Sequence, residues 1–258
     1  MSDKLDSLSR ILRPMDRVAV AYSGGVDSAL LLRVTLETLG RGNVLAVMAV
    51  APIWPEAEQN RAKRLAEEMG ANVRTVRAPD ISQPAFAEHL PDRCYFCKRD
   101  ILTHAIQVAQ DSGFRWVADG TNLDDLKEDR PGLRALQELG VRSPLAEAGL
   151  TKSDVRALAR ELDLQVWDEP ARACLATRIP FGTPVTEERL RLAEAAERAI
   201  ARLGFRQFRC RIHDHLLRLE LPPEDFSHAL EERERIVSEM HRLGFHHVTL
   251  DLDGMKRR

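Results

Sequence analysis

Val18-Ala19-Val20-Ala21-Tyr22-Ser23-Gly24-Gly25-Val26-Asp27-Ser28 is the stretch from which this chain is best read. An apolar run leads into two glycines flanked by serines, and a helical pattern of Leu30, Leu31, Leu32, Val34 and Leu36 follows. Strand, glycine turn and helix in that order build an anion site. Adjacent glycines let the backbone bend with positive φ and bring N–H groups near phosphate oxygens, while the helix points its positive dipole end at the same place. Ser23 and Ser28 add hydroxyl donors, and Asp27 suits either a Mg²⁺ that bridges phosphates or a cap on the first helical turn. No lysine follows the glycines, so the pattern is not G-x-x-x-x-G-K-[ST]. Such a loop is better suited to holding pyrophosphate as a leaving group than to passing on a γ-phosphoryl group.

The S-G-G-x-D-S signature after a first strand resembles the PP-loop ATP pyrophosphatases, a clan with GMP, NAD and argininosuccinate synthetases and tRNA thiolation enzymes. The resemblance implies that ATP adenylates a substrate oxygen, pyrophosphate leaves, and a nucleophile displaces AMP. Composition sets the bounds around that expectation. At 258 residues, 44% hydrophobic and 30% charged, the chain has room for one α/β core plus a smaller unit. Residues 1–10 are charged and lack an apolar targeting stretch, and no run approaches a membrane span, so a cytoplasmic location is expected. A net charge of -2 argues against a chain-wide nucleic-acid field. The four cysteines of such a protein are then read as core, ligand or nucleophile rather than as disulfides.

Along the chain, strands at 18–22, 44–50, 72–77 and 116–119 alternate with helices at 56–69, 97–110 and 150–162. This alternation predicts parallel βαβ units in a doubly wound α/β sheet, with ligands outside the carboxyl ends of the strands. After residue 183 the rhythm changes. A helix at 187–203, strands at 206–213 and 216–221, a helix at 223–243 and a last strand at 247–252 predict a small α+β domain. The expected division is therefore a nucleotide domain over 1–182 and a C-terminal domain over 183–258, with the junction in the proline-bearing loop 168–184.

Several loops carry further candidates. In 119–125, Asp124 and Asp125 can bind Mg²⁺, and Gly120, Thr121 and Asn122 can contact nucleotide or form an ordinary polar turn. Arg142 is either a phosphate partner or a solvated surface arginine. Cys94 and Cys97 form a C-x-x-C that suits zinc, an iron–sulfur cluster or a redox dithiol, but no second C-x-x-C completes a four-cysteine site. Cys174 can supply a third thiolate. It stands in an irregular loop between Arg172 and Arg178, whose guanidinium groups favour thiolate and hence nucleophilic sulfur. Cys210, alternating with Arg209 and Arg211, is expected to face the core.

Together, S-G-G-V-D-S, R-C-Y-F-C-K, D-G-T-N-x-D-D, R-P-G, G-V-R-S-P-L-x-E-x-G-L-T-K, W-D-x-P-x-x-x-C-L-A-T-R-I-P-x-G and F-R-x-R resemble the LarE family of sulfur transferases, in order from about residue 10 to residue 225. That resemblance implies a PP-loop (adenine nucleotide alpha hydrolase-like) fold, the cofactors ATP and Mg²⁺, and a role in nickel-pincer nucleotide biosynthesis. A carboxylate of a pyridinium dicarboxylate mononucleotide would be adenylated and then thiolated. Cys174 matches the sulfur-donating cysteine, which becomes dehydroalanine in sacrificial members; other members hold a [4Fe-4S] cluster with three cysteines, and Cys94 and Cys97 leave that mode open. Arg209 and Arg211 match a basic pair for substrate phosphate, with Glu197 and Glu220 as acidic partners. A small nucleotide substrate and a homo-oligomer are expected, with neither membrane nor nucleic acid as partner. The alternatives are a tRNA thiolation enzyme of the same clan and a non-catalytic ATP-sensing module.

Overall fold

A computed structural model describes residues 3–127, 131–169 and 173–255. Arg130 of the R-P-G motif and Arg172 beside Cys174 lie outside the described residues. The strands are β1 (Val18–Tyr22), β2 (Val44–Val50), β3 (Asn72–Arg77), β4 (Trp116–Asp119), β5 (Arg209–His213), β6 (Leu216–Glu220) and β7 (His247–Leu250). The helices are α1 (Asp3–Leu12), α2 (Val26–Leu39), α3 (Glu56–Glu68), α4 (Pro84–Ala87), α5 (Arg93–Asp111), α6 (Pro131–Glu138), α7 (Pro144–Glu147), α8 (Lys152–Glu161), α9 (Glu187–Arg202), α10 (Phe226–Glu231) and α11 (Arg233–Arg242).

The chain divides into two compact units, Met1–Asp80 with Asp92–Arg172, and Ile81–Pro91 with Ala173–Arg258. Cys174 thus belongs to the second unit, together with a short excursion from the first half of the chain. In the first unit a parallel sheet runs β3-β2-β1-β4. Side chains alternate between its faces as a strand requires. Val18, Val20, Tyr22, Val44, Ala46 and Met48 pack with α1, α2 and α8, whereas Ala19, Leu45 and Val47 pack with Ala105 and Ala109 of α5. Helices on both faces make the sheet doubly wound, as the alternation predicts. Strand order reverses between β1 and β4, and crevices for ligands open at the carboxyl ends of strands at such a reversal.

The second unit pairs β5 and β6 antiparallel and β6 and β7 parallel. Its apolar side holds Cys210, Ile212, Leu217 and Leu219 with Leu190, Ala193, Ile200, Ile236 and Met240, and the expected inward turn of Cys210 is met at 0% exposure. The helix predicted over 223–243 is broken at Glu232 into α10 and α11. The helix predicted from 97 starts at Arg93 and takes in the whole C-x-x-C. No helix among the described residues is long and apolar enough to cross a membrane.

Candidate functional site

The loop after β1 departs from expectation in one respect. Only Gly24 takes a positive φ, +79°, while Gly25 is extended at φ -77°, ψ 162° and serves as the residue before α2. Gly24 is doubly constrained, because a Cβ there would lie 2.3 Å from the Cβ of Ala62 on α3. The serines wind the loop on itself. Ser28 Oγ donates to the Gly25 carbonyl at 3.1 Å and accepts from the Ser23 N–H at 3.2 Å, with the Ser23 hydroxyl 3.1 Å away.

Across the strand reversal, the loop after β4 is pressed onto the same helix end. A Cβ on Gly120 would meet the Ser28 nitrogen at 2.8 Å, so this position admits only glycine. Asp119, 2% exposed, is the keystone. Its Oδ1 accepts from the Thr121 N–H at 3.2 Å and the Ser143 hydroxyl at 2.8 Å, and its Oδ2 from the Thr121 hydroxyl at 2.8 Å and Lys98 Nζ at 3.1 Å. Four donors on one carboxylate satisfy a buried charge that would otherwise be costly.

Asp27 does not cap α2, which has no side-chain cap; its carboxylate takes the Lys152 ammonium and, at 3.1 Å, the Asn122 amide. Asp124 and Asp125 also have structural duties. Asp124 accepts from Lys127 Nζ at 2.8 Å and from the Lys152 N–H at 2.9 Å, and these bonds hold its carboxyl below the ordinary range. Asp125 accepts from the Asn122 N–H at 3.0 Å. The Arg142 guanidinium forks onto Glu147, with one arm at 2.8 Å, while its backbone continues the sheet edge through Asp119 and Val117. The Glu147 partner raises Arg142, and Arg142 lowers Glu147. Lys98, Asp119, Ser143 and Lys152 stand inside the motifs, but no spacing in the sequence assigns them these pairings.

Cys94 and Cys97 lie one helical turn apart at the start of α5, Cys94 exposed and Cys97 half-buried. Arg93 Nη2 reaches the Cys94 sulfur at 3.8 Å. Thiol donors at this spacing have the chemistry of an iron–sulfur or zinc ligand pair. Within neither unit do three His, Cys, Asp or Glu side chains gather as a metal site among the described residues.

In the second unit Cys174 opens a short 3-10 turn, Leu175–Arg178, closed by the Thr177 hydroxyl and N–H on the Cys174 carbonyl at 2.8 and 3.0 Å. Two arginines fasten that turn. Arg178 is bidentate on Glu197 at 2.5 and 3.3 Å, and Arg211 donates to the Thr177 carbonyl. Arg211 also forks onto Glu220 at 2.8 and 3.1 Å, a carboxylate that Arg209 approaches at 3.6 Å and Arg218 at 3.2 Å. Strand alternation puts Arg209 and Arg211 opposite Cys210 and Ile212 in facing, and cross-strand register sets Arg211 against Arg218 and Arg209 against Glu220. This polar face is electropositive. Burial, and then Arg218 and Arg211, push the neighbouring His213 down, while burial pushes the Cys210 thiol up.

Comparison with known proteins places this geometry. The NAD synthase family profile matches residues 8–101, the part that carries β1 to β3 and the glycine loop. Over 256 residues the chain is 38% identical to the pyridinium-3,5-bisthiocarboxylic acid mononucleotide synthase of Lactiplantibacillus plantarum, covering 99% of this chain and 93% of the relative. An uncharacterized Synechocystis protein is also 38% identical over 256 residues, covering 98% and 95%, and one from Methanocaldococcus jannaschii is 31% identical over 237 residues, covering 92% and 90%. Near full-length identity at this level, with the glycine loop at a strand reversal, establishes that the chain belongs to the LarE family of PP-loop sulfur transferases.

Proposed function

We propose that this chain is an ATP-dependent sulfur transferase acting on a pyridinium dicarboxylate mononucleotide, with product chemistry like that named for its Lactiplantibacillus relative. The observation that carries this reading is the seat of Cys174, at the head of a turn that Arg178 and Arg211 clamp to Glu197 and Glu220. A sulfur nucleophile stands there beside a face of arginines suited to a substrate phosphate.

A carboxylate is a poor acyl electrophile, so the first task is activation. A substrate carboxylate oxygen attacks the α-phosphorus of ATP, the bond to the β-phosphate breaks, and pyrophosphate leaves. The loop Ser23, Gly24, Gly25 and Ser28 cradles that pyrophosphate with N–H and hydroxyl groups, and Gly120, Thr121 and Arg142 border the same strand reversal. Bound Mg²⁺ would neutralise phosphate charge, and Asp27, with Asp124 and Asp125 behind it, has the oxygen donors to hold it. The Cys174 sulfur then attacks the acyl carbon and AMP departs with the bonding pair, leaving a thioester. Loss of the Cys174 α-proton and cleavage of its Cβ–S bond leave sulfur on the product and dehydroalanine at position 174.

The second mode has Cys94, Cys97 and Cys174 as thiolate ligands of a [4Fe-4S] cluster, which would supply sulfide in place of the cysteine's own sulfur. Cys94 and Cys97, one turn apart on α5, would supply two of those thiolates. Arg209, Arg211, Glu197 and Glu220 form the phosphate-binding group of the mononucleotide in either mode. A cytoplasmic, homo-oligomeric protein completes the proposal.

Intact-mass measurement after incubation with ATP, Mg²⁺ and the nucleotide acid tests it. Loss of one H₂S from Cys174 with thiolated product establishes the sacrificial mode, and unchanged mass with thiolated product establishes the cluster mode. Pyrophosphate without thiolated product, or ATP binding without pyrophosphate, overturns the function.

A further inference from the structure

Within the second unit, residues 180–183 make a β-turn: the Thr183 N–H donates to the Pro180 carbonyl at 3.1 Å, and Gly182 supplies the positive φ, +77°, that such a turn takes at its third position. Phe181 stands at the corner. The strip Ile81–Pro91 of the same unit ties the turn down, since the Gly182 N–H donates to the His89 carbonyl at 3.2 Å and the His89 ring lies 5.0 Å from the Phe181 ring at 50°. His89 is 1% exposed, yet Phe181 is 69% exposed. One apolar side chain in water is ordinary on a protein surface. A ring fixed at a turn corner and backed by a buried imidazole is a platform, and its remaining surface faces solvent.

That surface carries no protein cation. In the first unit, arginines lie over the rings of Phe114, Tyr95, Phe96, Trp116 and Trp167, whereas among the described residues none lies over Phe181. A pyridinium mononucleotide makes opposite demands at its two ends. Its phosphate is an anion and its N-substituted ring is a fixed cation. The face of Arg209, Arg211 and Arg218 answers the first and repels the second. The ring therefore calls for a surface that attracts a cation without bearing charge, which an aromatic face provides through its quadrupole. Phe181 also lies within reach. Arg211 donates to the Thr177 carbonyl, and the four residues from there to Phe181 span at most about 14 Å. Cys174 heads the same stretch of chain.

We propose that Phe181 is the stacking platform for the pyridinium ring of the substrate, holding the ring by its face while the arginines hold the phosphate. It thereby favours cationic heteroaromatic mononucleotides over sugar phosphates that lack the ring. The inference rests on the sulfur-transfer reading above and adds a ring site to it.

The experiment uses the full-length protein with two probes: nicotinic acid mononucleotide, which has the pyridinium ring and one carboxylate, and ribose 5-phosphate, which keeps the phosphate alone. Phe181→Leu retains apolar area but loses the π face; it is expected to bind the nucleotide about tenfold more weakly by calorimetry and ribose 5-phosphate as the wild type does. Phe181→Tyr should restore the nucleotide affinity. Phe181→Trp turns the platform into a reporter, because an indole stacked on a pyridinium loses emission and gains a charge-transfer absorption band. The wild type supplies the background, with Trp54, Trp116 and Trp167 all in the first unit. Unchanged nucleotide affinity in Phe181→Leu, an equal loss for ribose 5-phosphate, or a Phe181→Trp signal no different from background overturns the proposal. Failure of the sulfur-transfer reading looks different: ring binding would still follow residue 181, but the wild type would yield no thiolated product from the dicarboxylate nucleotide.

Discussion

The strand reversal of the first unit and the arginine face of the second are both suited to phosphate, but they are made of different materials. The first uses backbone N–H groups, hydroxyls and close approach, with Gly24 and Gly120 wedged against neighbours at distances no side chain tolerates. The second uses guanidinium forks held in place by Glu197 and Glu220. A site of the first kind depends on shape. A site of the second kind depends on charge, and its arginines owe their positions to carboxylates that substrate phosphate would have to share.

Substitutions can break or sharpen that contrast. Cys174→Ala should lower thiolated product by about 10³-fold or more while leaving ATP binding intact, since only the nucleophile is lost; product quantified by mass spectrometry checks it. Asp119→Ala removes the acceptor of four hydrogen bonds and strands Lys98, and should lower the unfolding free energy by about 3 kcal/mol in a urea titration. Gly24→Ala should cost about 2 kcal/mol through its positive φ and the Ala62 contact, and should abolish pyrophosphate release by distorting the loop. Arg211→Gln should leave the glycine loop untouched and raise KM for the mononucleotide by about tenfold, with KM for ATP unchanged in steady-state assays. If Arg211→Gln instead weakened ATP binding, the division of labour between the two sites would be wrong.

The smallest effect concerns the cap beneath Lys152. Hydrogen bonds from Lys4 and Thr151 hold the Asp154 carboxyl down to about 2, below its ordinary value. A depressed carboxylate stabilises the fold above its ordinary titration range and loses that contribution as pH falls through the folded value. Asp154→Ala should therefore cost about 1 kcal/mol at neutral pH, and its difference from the wild type should shrink from about pH 4 towards about pH 2 in thermal melts.

Much of the first unit is legible in the sequence because buried parallel strands such as β1 and β2 read as apolar runs, whereas the edge strand β3 is mostly exposed and shows only Val73 and Val76 between polar residues. The glycine loop is legible for the same reason that its substitution is intolerable. α1 escaped although Leu5, Leu8 and Leu12 give the spacing of one buried helical face, a signal hidden by surrounding charge. The break at Glu232 has no glycine or proline to mark it, so periodicity alone runs α10 and α11 together. The pairings of Asp119 with Lys98 and of Asp27 with Lys152 are tertiary facts. Each residue alone reads as an ordinary polar side chain, and only the strand order brings the partners together.

The excursion Ile81–Pro91 has a consequence for how this chain is made. The Val185 N–H donates to the Ala87 carbonyl at 2.8 Å and the Gly182 N–H to the His89 carbonyl at 3.2 Å, so a piece synthesised early finds its partners only after nearly a hundred further residues. On the ribosome that piece must wait, and closing so long a loop delays the second unit until the last third of the chain has emerged. The C-terminal unit is therefore not a detachable appendage: a gene cut at the apparent junction would leave the first product whole with a stranded strip, and the second product lacking the residues 81–91 it needs.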